Sequence, residues 1–369
     1  MKITGVRSFQ ESIELERPYT IASRTVTAVE LFFVRITTDQ GVSGVGSASP
    51  TEGVTQETVA DCQAALSEET LDWLVGRDPR HLGTHCRLLK EKLHATPAAR
   101  AAVDMALYDV FAQILGVPVV DVLGRCHEVL PTSVTLGIKS TEEALAETDE
   151  YLGRGFRCLK VKIGLSLEED VERLRKLREK VGAEILIRVD ANLGYTVEEA
   201  RRFAALAEEL DLELVEQPLP VQAVAEMRAL PPSLRLIVAA DESLHDEADA
   251  LALAAEPAAC GIFNIKLMKC GGITSALAIA AIAEAAGLEL MWGCMDESVV
   301  SIGAALHAAY ACPATRYLDL DGSFDLPWDP ATGGFVLDNG CLRIPDRPGL
   351  GVELRDDPGH TACASTGVT

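Results

Sequence analysis

The chain has 369 residues, of which 48% are hydrophobic, and its 33 Lys and Arg residues against 56 Asp and Glu give a net charge of −23. This length can bury a large core and suggests two domains, or one barrel with an addition. A chain this acidic repels phosphate backbones, which argues against nonspecific nucleic-acid binding. It is also too apolar to be a disordered acidic protein.

Neither a membrane span nor a secretory signal is visible in the sequence. The most apolar stretch, residues 276–283, is far shorter than the ~20 residues that a bilayer requires, and no apolar segment follows Met1. The ten cysteines are scattered without a Cys-x-x-Cys pair, which is typical of reduced thiols in a cytosolic protein. We therefore expect a cytoplasmic protein that binds no membrane.

Residues 1–125 have the pattern of a mixed α+β unit. Residues 26–38 are rich in β-branched and apolar side chains, and after a turn residues 42–48 predict a second strand. The pattern then becomes helical from Thr55. Residues 98–115 predict a tightly packed helix of small side chains that ends at Gly116.

From residue 126 to 321, short β-rich runs alternate with amphipathic helical stretches. The eight predicted strands cover residues 133–138, 158–163, 185–190, 212–216, 236–241, 262–266, 288–293 and 316–320. From the second strand onward, their last polar or Gly positions are 25 to 28 residues apart. Because parallel strands need crossover helices, this spacing predicts an α/β fold, a (β/α)8 TIM-type barrel.

The last segment, residues 322–369, is rich in Pro, Gly and Trp, with weak strand signals near residues 334–337. We expect it to return to the N-terminal unit, and residues 355–369 to fray. The sequence thus divides into segments 1–125, 126–321 and 322–369.

Three carboxylates end successive predicted strands: Asp190, Glu216 and Asp241. In a barrel of this type such strand ends meet at one mouth, so the three side chains are expected on one arc. Hard oxygen ligands with room for water suit one Mg²⁺ per chain, with Mn²⁺ as the alternative. For a single Asp, a helix cap or a local lysine partner is the better explanation, but three carboxylates at the ends of successive strands favour a metal.

Three lysines belong to the same mouth. Lys160 and Lys162 face the same side of the second strand, about 6.6 Å apart at a rise of ~3.3 Å per residue. Their ammonium groups repel by about 2.5 kcal/mol at an effective dielectric of ~20, so the pKa of one of them is expected to fall. Lys162, nearer the mouth, is the predicted base and Lys160 its support. Lys266 ends the sixth strand, opposite the second in a ring of eight.

This placement predicts a chemistry. A substrate carboxylate on the cation would present its α-carbon between Lys162 and Lys266. One amine would remove the α-proton, the cation would stabilise the enolate, and the other amine would return a proton to the opposite face. The pattern therefore predicts an isomerase that uses two bases for 1,1-proton transfer. Lysines that merely extend to solvent would poorly explain all three positions.

These residues resemble the enolase superfamily, and the resemblance covers nearly the whole chain. The motifs that carry it are Lys160-Val161-Lys162-Ile163-Gly164, Asp190-Ala191-Asn192, Val215-Glu216-Gln217-Pro218, Ala240-Asp241-Glu242-Ser243 and Asn264-Ile265-Lys266. A lysine after the sixth strand, with no histidine base after the seventh, is similar to the muconate-lactonizing subgroup. The pair Asp319-x-Asp321 is similar to the dipeptide epimerases of that subgroup.

The resemblance implies an α+β capping domain over a modified barrel, a bound Mg²⁺ ion and a dipeptide as small-molecule substrate. It implies that Asp319 and Asp321 bind the α-ammonium of the dipeptide and that the α-carbon of the C-terminal residue is inverted. Thr135, in the first strand, is a further expected substrate contact. An alternative for the Asp pair is a cap on the turn into Gly322.

Loops at the mouth are expected to select the dipeptide side chains. In the Ala-Glu epimerases of the family, an arginine of the first loop pairs with the acidic side chain of the substrate, and Arg24 keeps that option open. Glu52 and Asp296, added to the two aspartates after the eighth strand, favour a cationic side chain such as Arg or Lys instead.

Two other functions stay open from the sequence. An o-succinylbenzoate synthase or N-succinylamino-acid racemase of the same subgroup would use the same metal and lysines, but its dianionic substrate gives no reason for Asp319 and Asp321. A metal-binding barrel without turnover would have little need for two opposed amines. The sequence also leaves open whether copies of the chain form a homo-oligomer.

Overall fold

The first part of the chain is built on a three-stranded antiparallel sheet. In the computed structural model, which describes residues 1–20 and 25–355, its strands are Ile3–Thr20, Thr25–Thr38 and Ser43–Ala48. The first two strands pair from Ile3 opposite Thr38 to Thr20 opposite Thr25. The second and third strands lie within one residue of their predicted bounds, whereas the sequence pattern did not delimit the long first strand.

A long helix, Pro97–Leu115, packs against this sheet. Its buried face contains many alanines, and this lets the backbones approach closely. A Cβ added at Gly46 would lie 1.9 Å from the carbonyl oxygen of Ala102, so only glycine fits there. The helix ends at Gly116, which adopts a left-handed conformation at φ 73°. The other helices of this part are Glu52–Thr55, Val59–Ala65, Glu68–Leu71, Leu82–Lys92 and Val119–Leu123, with a 3₁₀ turn at Asp72–Leu74.

Eight parallel strands follow one another around a barrel in chain order, which confirms the predicted fold class. From the first to the eighth barrel strand they are Val134–Leu136, Cys158–Lys162, Leu186–Asp190, Leu212–Glu216, Val238–Ala240, Ile262–Ile265, Glu289–Gly293 and Thr315–Asp319. A parallel bridge between Thr132 and Leu318 joins the first strand region to the eighth. Each strand lies within two residues of its predicted bounds.

Amphipathic helices surround the barrel. Ser140 and Thr196 each begin a helix with a capping box, in which the cap side chain and a glutamate three residues later exchange hydrogen bonds with the backbone. In another of these helices, Leu167–Val181, the buried residues recur at helical spacing. The helices of this part are Thr141–Gly153, Leu167–Val181, Val197–Glu209, Val224–Arg228, Pro232–Arg235, Glu247–Ala254, Leu267–Cys270, Ile273–Ala285 and Val299–Tyr310.

The last described segment returns to the first part of the chain. Arg35 donates a hydrogen bond to the carbonyl of Leu354 at 3.0 Å, and the Leu350 N–H donates to Asp109 Oδ1 at 2.8 Å. The short strands here are Ala331–Gly333, Val336–Asp338, Cys341–Arg343 and Val352–Leu354, with Leu130–Pro131 added from before the barrel. The division at residues 125 and 321 stays a prediction. Across residues 1–20 and 25–355, no helix combines the length and apolar character needed to cross a membrane.

Candidate active site

The carboxyl ends of the barrel strands bring the predicted polar residues to one mouth. Asp190 stands in register with Lys162 on one side and with Glu216 on the other. Asp241 directly follows the fifth barrel strand and Lys266 directly follows the sixth. Lys162 and Lys266 therefore approach from opposite sides of an eight-stranded ring, with the carboxylates on the strands between them.

On the second-strand side, two lysines contact one carboxylate. The Nζ atom of Lys162 lies 2.6 Å from Asp190 Oδ2, and that of Lys160 lies 3.3 Å from the same oxygen. Both lysines therefore point to the same face of their strand, as their spacing predicts. Burial acts to raise the pKa of Asp190, but the charges of Lys162 and Lys160 outweigh it and lower the pKa to about 2.

On the sixth-strand side, Lys266 Nζ lies 2.7 Å from Asp241 Oδ2. A second buried lysine, Lys269, contacts Asp241 Oδ1 and also donates to the carbonyl oxygens of Asp241 at 2.5 Å and Asn264 at 3.2 Å. Burial opposes ionisation of Asp241, but the two ammonium groups hold its pKa well below the usual range. Lys269 is not among the residues predicted from the sequence, although its position three residues after Lys266 places it one helical turn away.

Lys160 lies at the centre of the site, where it links three strands. Its Nζ atom is 2.7 Å from Glu216 Oε2 and 2.7 Å from Asp319 Oδ2. Burial favours a neutral amine, but the charges of Asp319, Glu216 and Asp190 raise the pKa of Lys160 well above its ordinary value. The carboxylates that surround this ammonium therefore outweigh its repulsion with Lys162.

The oxygen atoms at the centre of the mouth test whether a hard cation fits. Glu216 is fully buried, and burial together with the charge of Asp190 raises its pKa to about 8. Its Oε1 accepts a hydrogen bond from Asn264 Nδ2 at 2.8 Å, while Oε2 has no hydrogen bond of good geometry despite the nearby Lys160 ammonium. Three more buried oxygens lack hydrogen-bond partners among the described residues: Asn192 Oδ1, Glu242 Oε2 and Asn264 Oδ1.

Buried oxygens that lack hydrogen-bond donors suit a hard divalent cation, so the residues present fit Mg²⁺. Within the described ranges, no three acidic, histidine or cysteine side chains are already gathered around one point as metal ligands. Lysine ammonium groups contact Asp190, Glu216 and Asp241 instead. Asn192, Glu242 and Asn264 belong to the sequence motifs given above, but no role was predicted for them.

Two cavities open at this mouth and share six lining residues, among them Lys162, Lys266 and Asp296. The first, here called the Asp321 lobe, encloses about 670 Å³ including its opening to solvent. The second, here called the Glu52 lobe, lies beneath the capping sheet. The two lysines thus stand where the two lobes meet.

The two aspartates after the eighth strand have different surroundings. Asp319 is buried, and its oxygens accept hydrogen bonds from Ser133 Oγ at 2.6 Å and from Lys160. Asp321 is half-buried and accepts the N–H of Thr135 at 2.7 Å. Burial and the charge of Asp319 raise the pKa of Asp321 to about 7, and no described residue forms an ion pair with it. The geometry therefore favours Asp321 over Asp319 as the acceptor of a cationic ligand.

The remaining predicted contacts are distributed around the two lobes. Thr135 lines the Asp321 lobe, Glu52 lines the Glu52 lobe, and Asp296 lines both while accepting a hydrogen bond from the Tyr19 hydroxyl at 2.9 Å. Arg24 lies outside the described residues. The substrate roles of these residues stay predictions.

Comparison with known proteins gives the family. Residues 3–124 match the family described as mandelate racemase / muconate lactonizing enzyme, N-terminal domain, and residues 143–358 match the enolase C-terminal domain-like family. The chain is 56% identical over 356 residues to an L-Lys-D/L-Arg epimerase of Methylococcus capsulatus, covering 96% of this chain and 100% of that protein. It is 37% identical over 344 residues to an L-Ala-D/L-Glu epimerase of Clostridium acetobutylicum, covering 93% and 96%.

The solved structures agree with these sequence matches. A dipeptide epimerase from Methylococcus capsulatus, complexed with Mg and the dipeptide L-Arg-D-Lys, is similar with a TM-score of 0.94 at 56% identity. That similarity covers 95% of this chain and 99% of the other. The fold, the sequence motifs and these matches together confirm the predicted resemblance: the chain belongs to the enolase superfamily, in its mandelate racemase / muconate lactonizing enzyme branch.

Proposed function

We propose that this protein is a Mg²⁺-dependent dipeptide epimerase that inverts the α-carbon of the C-terminal residue and favours cationic dipeptides. The observation that carries the proposal is the pair of lysines, Lys162 and Lys266, which face one cleft from opposite sides of the barrel. The similar sequences described above are named as epimerases and the similar structure is named a dipeptide epimerase, which supports this reaction over other reactions of the superfamily.

In this proposal Asp190, Glu216 and Asp241 hold one Mg²⁺, with Mn²⁺ as the alternative. The cation, when bound, would stabilise the negative charge that develops on the substrate carboxylate. Lys162 takes the α-proton from one face and Lys266 delivers a proton to the other, and the reverse direction exchanges their roles. Each amine must be neutral to act as the base.

Other residues hold the substrate and the bases in place. Asp321 binds the α-ammonium of the dipeptide, and Thr135 fixes the aspartate through its N–H. Lys160 supports the site by keeping Glu216 and Asp319 in position. Asp319 influences the site of the substrate ammonium through its contact with Lys160 and through its own negative charge.

The charge of the cleft supports cationic substrates. Glu52 and Asp296 line the Glu52 lobe, and Asp296 also borders the Asp321 lobe, so a positively charged side chain meets carboxylates on both sides. The relative named an L-Lys-D/L-Arg epimerase supports the same preference. An Ala-Glu preference, with Arg24 pairing the acidic side chain, is the alternative within the reaction class.

We also propose that the enzyme works in the cytoplasm. All nine cysteines in the described ranges are free thiols, of which six are buried and two are half-buried, a distribution typical of a reducing compartment.

The test is deuterium exchange. The protein is incubated with Mg²⁺ and a dipeptide library in D₂O, and mass spectrometry follows deuterium at the α-carbons. We expect deuterium and inversion at the C-terminal residue, with the highest kcat/KM for dipeptides that contain Lys or Arg. Chelation with EDTA should abolish exchange, and added Mg²⁺ should restore it.

A second arm separates the epimerase from the alternatives. We expect Asp321→Asn to weaken binding of dipeptides with a free amine, because the ammonium loses its charged partner. An N-succinylamino-acid substrate has no such ammonium. Exchange into N-succinylamino acids but into no dipeptide would contradict the proposal, and exchange into neither would favour a barrel without turnover.

A further inference from the structure

The Asp321 lobe contains a second carboxylate, Asp325, that the proposed reaction does not use. The N–H of Phe324 donates to the carbonyl of Asp321 at 2.8 Å, which closes a turn just before Asp325. The N–H of Glu16 donates to the carbonyl of Asp325 at 2.9 Å and ties the turn to the first capping strand. Asp321 and Asp325 both line the lobe, so the turn places two carboxylates in one cavity.

The cationic groups around Asp325 already have acidic partners of their own. Arg17 forms an ion pair with Glu150 at 2.6 Å, and Lys139 forms one with Glu147. The side chain of Asp325 makes no hydrogen bond or ion pair with residues 1–20 or 25–355, although Arg17 lies near enough to affect it.

Burial raises the pKa of Asp325 above its ordinary value, even with the charge of Arg17 acting in the opposite direction. A half-buried carboxylate in such a position gains from an arriving cation, because the cation restores a favourable partner for its charge. This end of the cleft therefore has one acidic group to offer beyond the group that binds the α-ammonium.

We infer, on the basis of the proposed function, that Asp325 binds the cationic side chain of the amino-terminal residue of the dipeptide. With the α-ammonium on Asp321, that side chain begins beside the turn, and a lysine side chain spans about 6 Å from Cα to Nζ. A turn of this type keeps its first and fourth Cα atoms within about 7 Å, and Asp325 is the next residue. The side chain of the carboxyl-terminal residue is then left to the Glu52 lobe.

Asp325 is thus a specificity residue that touches no reacting atom. The test compares L-Lys-L-Arg with L-Ala-L-Arg, which differ only at the amino-terminal position. In Asp325→Asn we expect kcat/KM for L-Lys-L-Arg to fall at least about tenfold, through KM and not kcat, since an ionic hydrogen bond is lost. For L-Ala-L-Arg, kcat/KM should stay within about twofold of the wild type, because that substrate never contacts Asp325.

Two further variants control for charge and for folding. Asp338→Asn removes the same charge from an exposed position outside the cleft, and it should leave both substrates unaffected. Asp325→Glu keeps the carboxylate and should restore most of the preference for L-Lys-L-Arg. Thermal melting of each variant checks that the fold is retained.

An equal loss for both substrates in Asp325→Asn would overturn the inference, because it would indicate a structural role. Unchanged kcat/KM for L-Lys-L-Arg would overturn it as well. Failure of the proposed function has a different signature, because the wild-type protein would then epimerise neither dipeptide.

Discussion

The second-strand and sixth-strand sides of the mouth each present a lysine on a carboxylate, but their supporting lysines differ. Lys160 points into the cleft and joins Asp190 to Glu216 and Asp319. Lys269 instead fixes Asp241 through its carboxylate and through backbone carbonyls.

The difference indicates a division of tasks. On the second-strand side, the supporting Lys160 contacts Asp319, and the charge of Asp319 acts on Asp321. Lys160 is thereby connected to the ammonium end of the proposed substrate. Support on the sixth-strand side holds one base and its carboxylate against the backbone. We therefore expect the two bases to be equally necessary and the two supports to be unequal.

The largest effect is expected from removing either base. Lys162→Ala and Lys266→Ala should each reduce epimerisation at least about 10²–10⁴-fold, the range that general acid–base groups contribute. Each variant should still exchange the α-proton of one substrate isomer in D₂O, and the two variants should serve opposite isomers. Exchange rates measured by mass spectrometry check this.

The exposed Lys176, paired with Glu172, provides the control for the base variants. Lys176→Ala should keep full activity. Full epimerase activity in either base variant would break the comparison, because one lysine would then suffice for both faces.

Removing the second-strand support should destabilise the protein strongly. Lys160→Met leaves Asp319 and Glu216 buried without their ammonium partner, which should lower the free energy of unfolding by about 3–5 kcal/mol. Urea denaturation in EDTA measures this without a contribution from metal binding. Adding Asp319→Asn should recover part of the loss, and no recovery would show that the Lys160–Asp319 contact carries little of it.

Removing the sixth-strand support should cost less. In Lys269→Met, Asp241 keeps its contact with Lys266, so we expect a loss of about 2 kcal/mol from the unpaired oxygen and carbonyls. The same variant should slow α-proton exchange more for the substrate isomer that Lys266 serves. Equal slowing for both isomers would mean that Lys269 supports the whole mouth and not one side.

The smallest effect concerns a buried titratable group, His307, that forms no ion pair with residues 1–20 or 25–355. Its Nδ1 accepts the N–H of Val120 at 3.0 Å, and burial lowers its pKa from 6.5 to about 4. Between these values the unfolded chain binds more protons, so the stability that His307 contributes is present above about pH 6.5 and is lost as the pH falls. We expect the wild type to lose about 1 kcal/mol through this group between pH 7 and pH 5.5.

The contribution of His307 is isolated by comparing how steeply the free energy of unfolding changes with pH in the wild type and in a variant without this group. Denaturation of the wild type and of His307→Gln at pH 7 and at pH 5.5 gives the change in the free energy of unfolding for each protein. Because only these changes are compared, the absolute stability of the variant does not matter. An unchanged slope in His307→Gln would mean that other groups produce the pH dependence. The activities of both proteins at pH 7 should agree, because His307 is far from the lysines in the chain and lines neither lobe.

The sequence alone was enough for features that follow from local periodicity. The two-residue period of a strand places Lys160 and Lys162 on one face, and strand ends placed Asp190, Glu216 and Asp241 at one mouth. The structure was needed where closure of the barrel brings distant residues together. Asp319 reaches Lys160 only because the eighth strand comes back beside the first, and the charge of Asp319 helps to raise the pKa of Lys160.

The direction of side chains in short helices and turns could also not be predicted from the sequence. Lys269 lies in the four-residue helix Leu267–Cys270, which is too short to have a hydrophobic period, so its spacing from Lys266 alone did not show that its ammonium would return to Asp241. Asp325 directly follows a turn, so its side-chain direction was not predictable from the sequence either. Neither residue belongs to a strand end, which was the feature that located the three carboxylates and the predicted bases.

The strand Cys341–Arg343 pairs with Leu130–Pro131, immediately before the first barrel strand, and the N–H of Thr132 donates to the carbonyl of Gly340 at 2.9 Å. The seam of the barrel is therefore covered by residues that are synthesised after all eight barrel strands. During translation the seam gains this neighbour only when the ribosome has released residue 343. Assembly of the covered barrel thus waits until residue 343 has been synthesised, and a nascent chain that stops earlier exposes an unpaired edge to other proteins.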